Sequence, residues 1–529
     1  MKYIIGIDLG TSGTKTVLFA QDGTAVAAAS REYPMAQPHN GWAEQNPEDW
    51  WRAGTETLRE VMQNSGVAPE DVAALGISGQ MHGLVMLDAD GNVLRPAILW
   101  CDQRTGQECG EITALVGRER LIEITANPAL TGFTASKIMW VKKHEPEIFA
   151  RCKHILLPKD YLRWCLSGDF ATEMSDASGM QLLDVPNRCW SREILDKLGV
   201  DPAWLGKLYE SPEVTGTVHL EAAQATGLSS KTLIVGGAGD NAAAAVGTGV
   251  VTDGQAFTTI GTSGVVYAHT GQPVIDPNGR VHTFCCAVPG AWHVMGVTQG
   301  AGLSLQWFRN QFCEPQTEQA ARAGTSVYAL LDEMAGGIPI GAEKLLYLPY
   351  LMGERTPHLD PDCRGAFFGL SAIHTRAHCL RAILEGVSYS LYDCLLVLAK
   401  MGICPETMLA TGGGGKSALW RQMLCDVFDT PVQTAASAEG PALGAAVLAA
   451  VGAELYPSVP AACEAMAKRN PAMQTPQPGN TVAYRAVHSC YRNLYPALKE
   501  SFAQLAALQR QKPVNHMIHI NHYDKENLS

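Results

Sequence analysis

Two aspartates in this chain each stand beside a run of glycines at what reads as the end of a strand. Asp8 lies in Ile4-Ile5-Gly6-Ile7-Asp8-Leu9, which breaks at Gly10-Thr11-Ser12-Gly13 and resumes as Thr16-Val17-Leu18-Phe19. Asp240 follows Leu233-Ile234-Val235 and the turn Gly236-Gly237-Ala238-Gly239, and Asn241 comes next. A turn of this kind offers backbone N–H groups and hydroxyls that suit a phosphate, and a carboxylate entering it suits a magnesium ion that keeps most of its waters. Taken alone, the first stretch reads equally as a tight hairpin at a protein edge.

The pattern then returns. Gly261-Thr262-Ser263-Gly264 repeats residues 10–13 between two apolar runs, 255–260 and 265–268, with Thr259 where the first copy has Asp8. A further glycine turn, Gly412-Gly413-Gly414-Gly415, closes a strand-like run at 407–411. Two copies heading halves of similar length favour an internal duplication, with a nucleotide held in the cleft between them. None of these turns fits G-x-x-x-x-G-K-[ST] or a convincing G-x-G-x-x-G unit, which disfavours a P-loop enzyme and a Rossmann dehydrogenase.

The elements that must carry these turns alternate in type. After the first hairpin comes a third strand at 24–33, then a helix opened by Asn46 as N-cap, Pro47 at the first position and acids in the first turn. A strand at 72–78 ends at Gly79-Gln80-Met81-His82-Gly83, and runs at 84–87 and 96–100 read as two more strands. Residues 104–190 look mostly helical and loop-like, an insertion forming the wall of a substrate cleft. The second half repeats the strand-and-helix series, with helices at 374–401, 417–428 and from Gly440 on. The fold class is α/β.

Composition narrows the partners. The 529 residues are 46% hydrophobic with a formal net charge of −12, so two large domains are expected, with no nucleic-acid or anionic-membrane partner. No uninterrupted apolar run reaches the ~18 residues of a membrane-spanning helix. Fifteen cysteines, an odd number and without a C-x-x-C pair, argue against a zinc site. Together with the lack of a signal-like N-terminus they point to reduced thiols in the cytoplasm. His516, His519 and His522 sit in a polar tail and read as tail residues, not as a metal tract.

Eight stretches together resemble the carbohydrate kinases of the actin-like, sugar-kinase and chaperone ATPase superfamily. They are Ile5–Ser12, Gly79–Gly83, Ile98–Arg104, Leu157–Tyr161, Gly239–Ala243, Gly353–Pro357, Gly412–Gly414 and Gly440–Ala446, in the family's order over about residues 3 to 500. The Gln80-Met81-His82 segment narrows the resemblance toward the xylulose-phosphorylating members. The resemblance implies two duplicated ribonuclease H-like (actin-like ATPase) domains with a ligand cleft between them: 1–246 with the sugar-binding insertions, 247–505 for the nucleotide, and 506–529 as a poorly ordered tail.

It also implies roles. Asp240 is the base that takes the proton of the sugar hydroxyl, and Asp8 acts on magnesium through water. Thr11 and Ser12 lie near the transferred phosphoryl group, and Gly261, Thr262 and Ser263 form the second phosphate loop. Gly412, Gly413, Gly414 and Gly444 face the adenosine of ATP. Met81, His82, Trp100, Asp102, Asp240 and Asn241 meet the sugar, D-xylulose, and Glu354 and Arg355 form a structural ion pair at the cleft edge. The chain acts alone or as a homodimer. Ala238 interrupts the glycine run usual before the base, and Cys101 and Gln103 also depart from the family pattern. The rival readings are a kinase for another ketose or polyol, and a non-catalytic ATP-binding switch.

Overall fold

The structure, a computed structural model, describes residues 2–437 and 439–510. The three tail histidines lie outside the described residues.

Strands β1 (Tyr3–Leu9) and β2 (Gly13–Ala20) form the expected hairpin, and β3 (Ala25–Glu32) extends it. Helix α1 (Pro47–Ser65) starts as its sequence dictates: the Asn46 side chain accepts from the Glu48 N–H, Pro47 needs no donor, and Glu48 and Asp49 fill the first turn. Strand β4 (Val72–Gly79) lies parallel to β1. The insertion supplies α2 (Thr134–His144) and α3 (Pro158–Ser167). Strands β5 (Val214–Thr217), β6 (Leu233–Val235) and β7 (Ala238–Gly239) complete a sheet of order β5-β6-β4-β1-β2-β3, with β7 continuing along β4. Helix α4 (Asp240–Gly247) follows at once. The runs at 84–87 and 96–100 do not join this sheet; both edges of β4 are taken, and they form short separate ladders with His154–Leu156 and Glu44–Gln45.

The second half repeats this order. Strands β8 (Gln255–Ile260), β9 (Gly264–Thr270), β10 (His282–Cys285) and β11 (Trp292–Thr298) are antiparallel neighbours. Helix α5 (Arg376–Lys400) leads to β12 (Thr407–Thr411), parallel to β8, and α6 (Ala418–Phe428) leads to β13 (Val432–Ala435), parallel to β12. Helix α7 (Gly440–Gly452), β14 (Arg469–Gln474) and α8 (Leu494–Arg510) end the described chain. The sheet order is β10-β11-β9-β8-β12-β13-β14. Asp8 pairs across β1/β4 with Ser78, and Thr259 pairs across β8/β12 with Thr411, the same register in both halves. The two turns differ in length: Leu9 faces Thr14, whereas its counterpart Ile260 faces Gly264, one residue earlier.

Period-2 alternation sorts the first sheet's faces. Ile5, Ile7, Leu9, Leu75 and Ile77 pack under Trp50, Leu58 and Val61 of α1 and Leu162 and Leu166 of α3. On the other face Ile4, Val17 and Ala74 meet Ala242, Ala243 and Val246 of α4 and Leu443, Ala446 and Val447 of α7. Thus α7, from the second half of the chain, lies on the first half's sheet. Gly6 and Gly76 make that approach possible, since a Cβ on either would overlap the Ala442 or Ala445 carbonyl oxygen. Helix α5, apolar and long enough to cross a bilayer by composition, is mostly buried as the central helix of the second core.

Candidate active site

The parallel strands β1, β4 and β7 end together at Leu9, Gly79 and Gly239, so whatever follows them is delivered to one edge of the sheet. Ligands of open α/β sheets bind at such carboxyl ends. Asp8 sits one residue before the end of β1 on the face carrying Ile4 and Gly6, just past the start of α7. Asp240 is the first residue of α4, directly after β7.

The charge of one carboxylate is felt by the other. Burial, then the charge of Asp240, push Asp8 up to about 7, against one hydrogen bond from Ser78 Oγ at 3.3 Å. Burial pushes Asp240 up to about 6, although its Oδ1 accepts from the Asn241 N–H at 2.7 Å and Nδ2 at 3.0 Å. Such values suit a group that must exchange a proton near neutrality. Lys15, opposite Asp8 on β2, reaches Glu439 Oε1 at 2.7 Å, tying the first hairpin to the segment before α7.

The first glycine turn is held from below. Gly10 N–H donates to Gly13 O at 3.0 Å, and the Gln45 amide donates to Thr11 O at 2.7 Å. Trp100 Nε1 donates to Thr11 Oγ1 at 2.9 Å, while Ser12 is exposed at the tip. In the second turn Gly261 N–H donates to Ser263 O at 3.0 Å and Gly261 O accepts from Gly302 N–H at 2.7 Å, leaving the Thr262 and Ser263 side chains exposed. Beside it opens a cavity of about 580 Å³ whose lining includes Gly261, Thr262, Tyr328, Gly413, Gly414 and Trp420. Gly412 takes the turn over Ile260 with φ +75°.

Met81 packs against Gly239, next to Asp240, so the Gln-Met-His segment and Asp240 share a wall. His82 is held at φ +65°, with its Nδ1 3.1 Å from Gly179 O and its ring edge-on to Phe133. Burial, with nearby Lys137, holds its imidazole well below the usual histidine range.

Two expected roles are corrected by the geometry. Asp102 is 0% exposed; its carboxylate accepts from Ala43 N–H at 2.6 Å and Arg104 Nη2 at 2.7 Å, which leaves no oxygen for a polyol. Gly444 does not face a nucleotide: a Cβ there would overlap the Ala243 carbonyl oxygen, so it is the contact that lets α7 cross α4. The expected Glu354–Arg355 ion pair is also absent. Glu354 accepts instead from Thr298 Oγ1 at 2.6 Å, Gln299 N–H at 3.0 Å and the backbone N–H of Arg355 at 2.8 Å.

Three supporting groups were not visible as such in the sequence. Lys137 of α2 is fully buried, donates to His82 O at 2.8 Å and Gly132 O at 2.7 Å, and is pushed down to about 7 by burial. Beneath Asp240, Gly239 N–H donates to Ser175 Oγ at 3.1 Å, and Ser175 Oγ donates to Glu173 at 2.9 Å. Lys159 lies among Asp160, Glu173 and Asp176, within the Leu157–Tyr161 stretch whose role the sequence left unassigned. His282 on β10 reaches the same region as His82, and nothing around it in the sequence marks it.

Residues 3–247 match the N-terminal domain, and residues 256–453 the C-terminal domain, of the FGGY family of carbohydrate kinases. The chain is 40% identical over 510 residues to the xylulose kinase of Bacillus subtilis (strain 168), covering 96% of this chain and 100% of that one. It is 43% identical over 464 residues to the xylulose kinase of Escherichia coli (strain K12), covering 86% and 93%. Among solved structures, gluconate kinase from Lactobacillus acidophilus superposes with a TM-score of 0.88 at 28% identity, covering 95% and 99%. The duplicated sheets, the two aspartates at the end of the first and both domain matches lead to one conclusion: this chain belongs to the FGGY family of carbohydrate kinases and is a sugar kinase.

Proposed function

We propose that the enzyme transfers the γ-phosphoryl group of ATP to the 5-hydroxyl of D-xylulose, giving D-xylulose 5-phosphate and ADP. The observation that carries this reading is Asp240, a carboxylate raised to about 6 at the head of α4, sharing a wall with Met81 and within electrostatic reach of Asp8. The high identity to two xylulose kinases supports the ketopentose, whereas the fold, shared equally with a gluconate kinase, does not discriminate.

In the reaction the sugar hydroxyl gives its proton to Asp240 as its oxygen bonds to the γ-phosphorus, and the bond from phosphorus to the bridging oxygen of ADP breaks. Asn241, bound to the same carboxylate, fixes the direction of the free oxygen. Thr11 and Ser12 on one side and Gly261, Thr262 and Ser263 on the other receive the phosphates. The cavity beside Gly413 and Gly414 takes the nucleoside. Cleft closure over the sugar excludes water as a competing acceptor.

Asp8 fits a magnesium ion by its chemistry: a hard oxygen donor, desolvated, next to a second carboxylate, with the nearby Lys15 bound to Glu439. Among the described residues no group of three or more His, Cys, Asp or Glu side chains makes a metal cage, which suits an ion that arrives with the nucleotide. When bound, such an ion neutralises the phosphate oxygens. The reading also takes residues 1–246 and 247–505 as the two working halves and the cytoplasm as the enzyme's compartment, which the fifteen free cysteines suit.

The test is ATP consumption across ketoses, polyols and aldonates, with Asp240→Ala as control. D-Xylulose should show the highest kcat/KM. Asp240→Ala should lose about a thousandfold in turnover while still binding ATP. A higher kcat/KM for another sugar, or near-normal turnover by the variant, overturns the assignment.

A further inference from the structure

We propose that Arg355 grips the end of the sugar opposite the hydroxyl that is phosphorylated and, with His82 and His282, selects a hydroxyketone over a polyol. This rests on the D-xylulose reading above and adds a specificity determinant to it.

The first observation is a guanidinium without a partner. Glu354, its neighbour in sequence, spends its carboxylate on Thr298, Gln299, Ser390 and the Arg355 backbone. Among the described residues the Arg355 side chain makes no hydrogen bond or ion pair. Its place in the chain is nevertheless fixed: its own N–H donates to Glu354 Oε1 at 2.8 Å, and the next residue, Thr356, donates from N–H to Val297 O at 3.0 Å and from Oγ1 to Arg280 O at 2.7 Å. A half-buried cation held in place without an acceptor is set up to receive one from a ligand.

The second observation is where it lies. Arg355 Nη2 is 3.8 Å from the position a Cβ on Gly132 would take, and Gly132 and His82 offer their carbonyls to the same Lys137. The guanidinium charge contributes to holding both His82 and His282 below the usual histidine range. It is not among the charges acting on Asp8 or Asp240. Arg355 therefore belongs to the sugar wall, away from the point of phosphoryl transfer.

The third observation is the state of the two histidines. His282 Nδ1 lies 2.8 Å from Asn127 Oδ1, and Asn127 Nδ2 donates to Thr125 O and Thr283 O, which fixes Oδ1 as the acceptor. His82 Nδ1 lies 3.1 Å from Gly179 O, which can only accept. Both rings thus carry hydrogen on Nδ1 and a bare lone pair on Nε2, and no described protein group occupies either Nε2. Phe133 stands between them, its ring centre 5.0 Å from that of His82 and 5.8 Å from that of His282.

Two acceptors beside one bidentate donor match a 1-hydroxy-2-ketone. The carbonyl oxygen accepts from the guanidinium, and the flanking hydroxyls donate to the imidazoles. A polyol has no carbonyl there, and its hydroxyl must reorient to satisfy Arg355.

Steady-state kinetics of Arg355→Gln and Arg355→Lys with D-xylulose and with xylitol test this, alongside calorimetric titration of D-xylulose and thermal melts. We expect Arg355→Gln to raise the KM and the Kd for D-xylulose by about tenfold or more. The KM for ATP should be unchanged, kcat should stay within about threefold, and the ketose-to-polyol ratio of kcat/KM should fall. Arg355→Lys, which keeps the charge and loses the fork, should lie between. An unchanged KM for D-xylulose, or an equal loss for both sugars, overturns the proposal. The wild type's own sugar preference tests the D-xylulose reading separately. A wild type that ignores D-xylulose and phosphorylates an aldonate overturns both.

Discussion

The indole N–H of Trp100 donates to the hydroxyl of Thr11 at 2.9 Å, although the Trp100 ring is 43% exposed. A residue expected to meet the sugar thus holds a residue expected to meet the phosphate. The segment ending at Trp100 and the first glycine turn are thereby joined.

Trp100→Phe keeps the ring and removes the donor. One hydrogen bond of about 1 kcal/mol corresponds to about a fivefold loss, expected in kcat/KM for ATP with little change in melting temperature. If instead the KM for the sugar rises alone, Trp100 is a sugar platform and the contact with Thr11 is incidental.

The acid side of the pH profile should be displaced upward. Asp240 accepts a proton only when ionised, and its value of about 6, with Asp8 at about 7, means both carboxylates protonate well above the ordinary value of about 4. In the free enzyme kcat/KM for the sugar should fall as pH drops through 6 to 7, the two groups titrating as a coupled pair. Asp8→Asn removes the group that titrates near 7, so its limb should narrow to that of Asp240 alone, near 6, and its magnesium dependence should weaken. A variant with the parent's profile and magnesium dependence excludes Asp8 from both roles.

Lys137 is a stability term with a definite sign. Its folded value of about 7 lies below the ordinary 10.5, so between those values the unfolded chain holds a proton that the folded chain has lost. Stability from this group rises with pH across that window and is lost as pH falls through 7. Lys137→Met should flatten that slope and melt no lower than the parent on the acid side, because a buried charge gives way to an apolar side chain. Freed from Lys137, His82 should bind sugar about tenfold more weakly, read as KM. A KM equal to the parent's shows that Thr134, which also donates to His82 O at 3.1 Å, suffices.

Gly444→Ala separates packing from nucleotide binding. The added methyl has no room beside Ala243, and overpacking of this kind costs about 1–3 kcal/mol. Denaturant melts should show that loss, while the protein that does fold keeps its ATP affinity. Weakened ATP affinity at unchanged stability would return Gly444 to the nucleotide.

The sequence made the duplication legible because its signals are local. A four-residue turn repeated between apolar runs, and Asn46-Pro47 at a helix start, are decided by neighbours in the chain. Asp102 and Gly444 were misread because their decisive partners are not neighbours: Asp102 takes the N–H of Ala43, and Gly444 makes room for Ala243. In one dimension a carboxylate for a sugar and a carboxylate for an arginine look the same. Arg355 shows the reverse error: adjacency to Glu354 suggested a pair, but the Glu354 carboxylate turns to Thr298 and Ser390 and makes no ion pair with the guanidinium. Nothing in the stretch around His282 distinguishes it from any strand histidine until β10 brings it beside Phe133.

The position of α7 bears on how the chain reaches its folded state. One face of the first sheet, with Ile4, Val17 and Ala74, is covered by Leu443, Ala446 and Val447. During synthesis that face has only α4 to cover part of it until residues 440–452 have emerged from the ribosome, long after the strands themselves are complete. A fragment ending at the junction of the halves would leave the α7 part of that face bare, with Gly6 and Gly76 forming an empty groove along it. Completion of the first half therefore waits on the second, and the last step is the seating of a small-residue helix against glycines placed hundreds of residues earlier, with Lys15 and Glu439, 424 positions apart, meeting beside it.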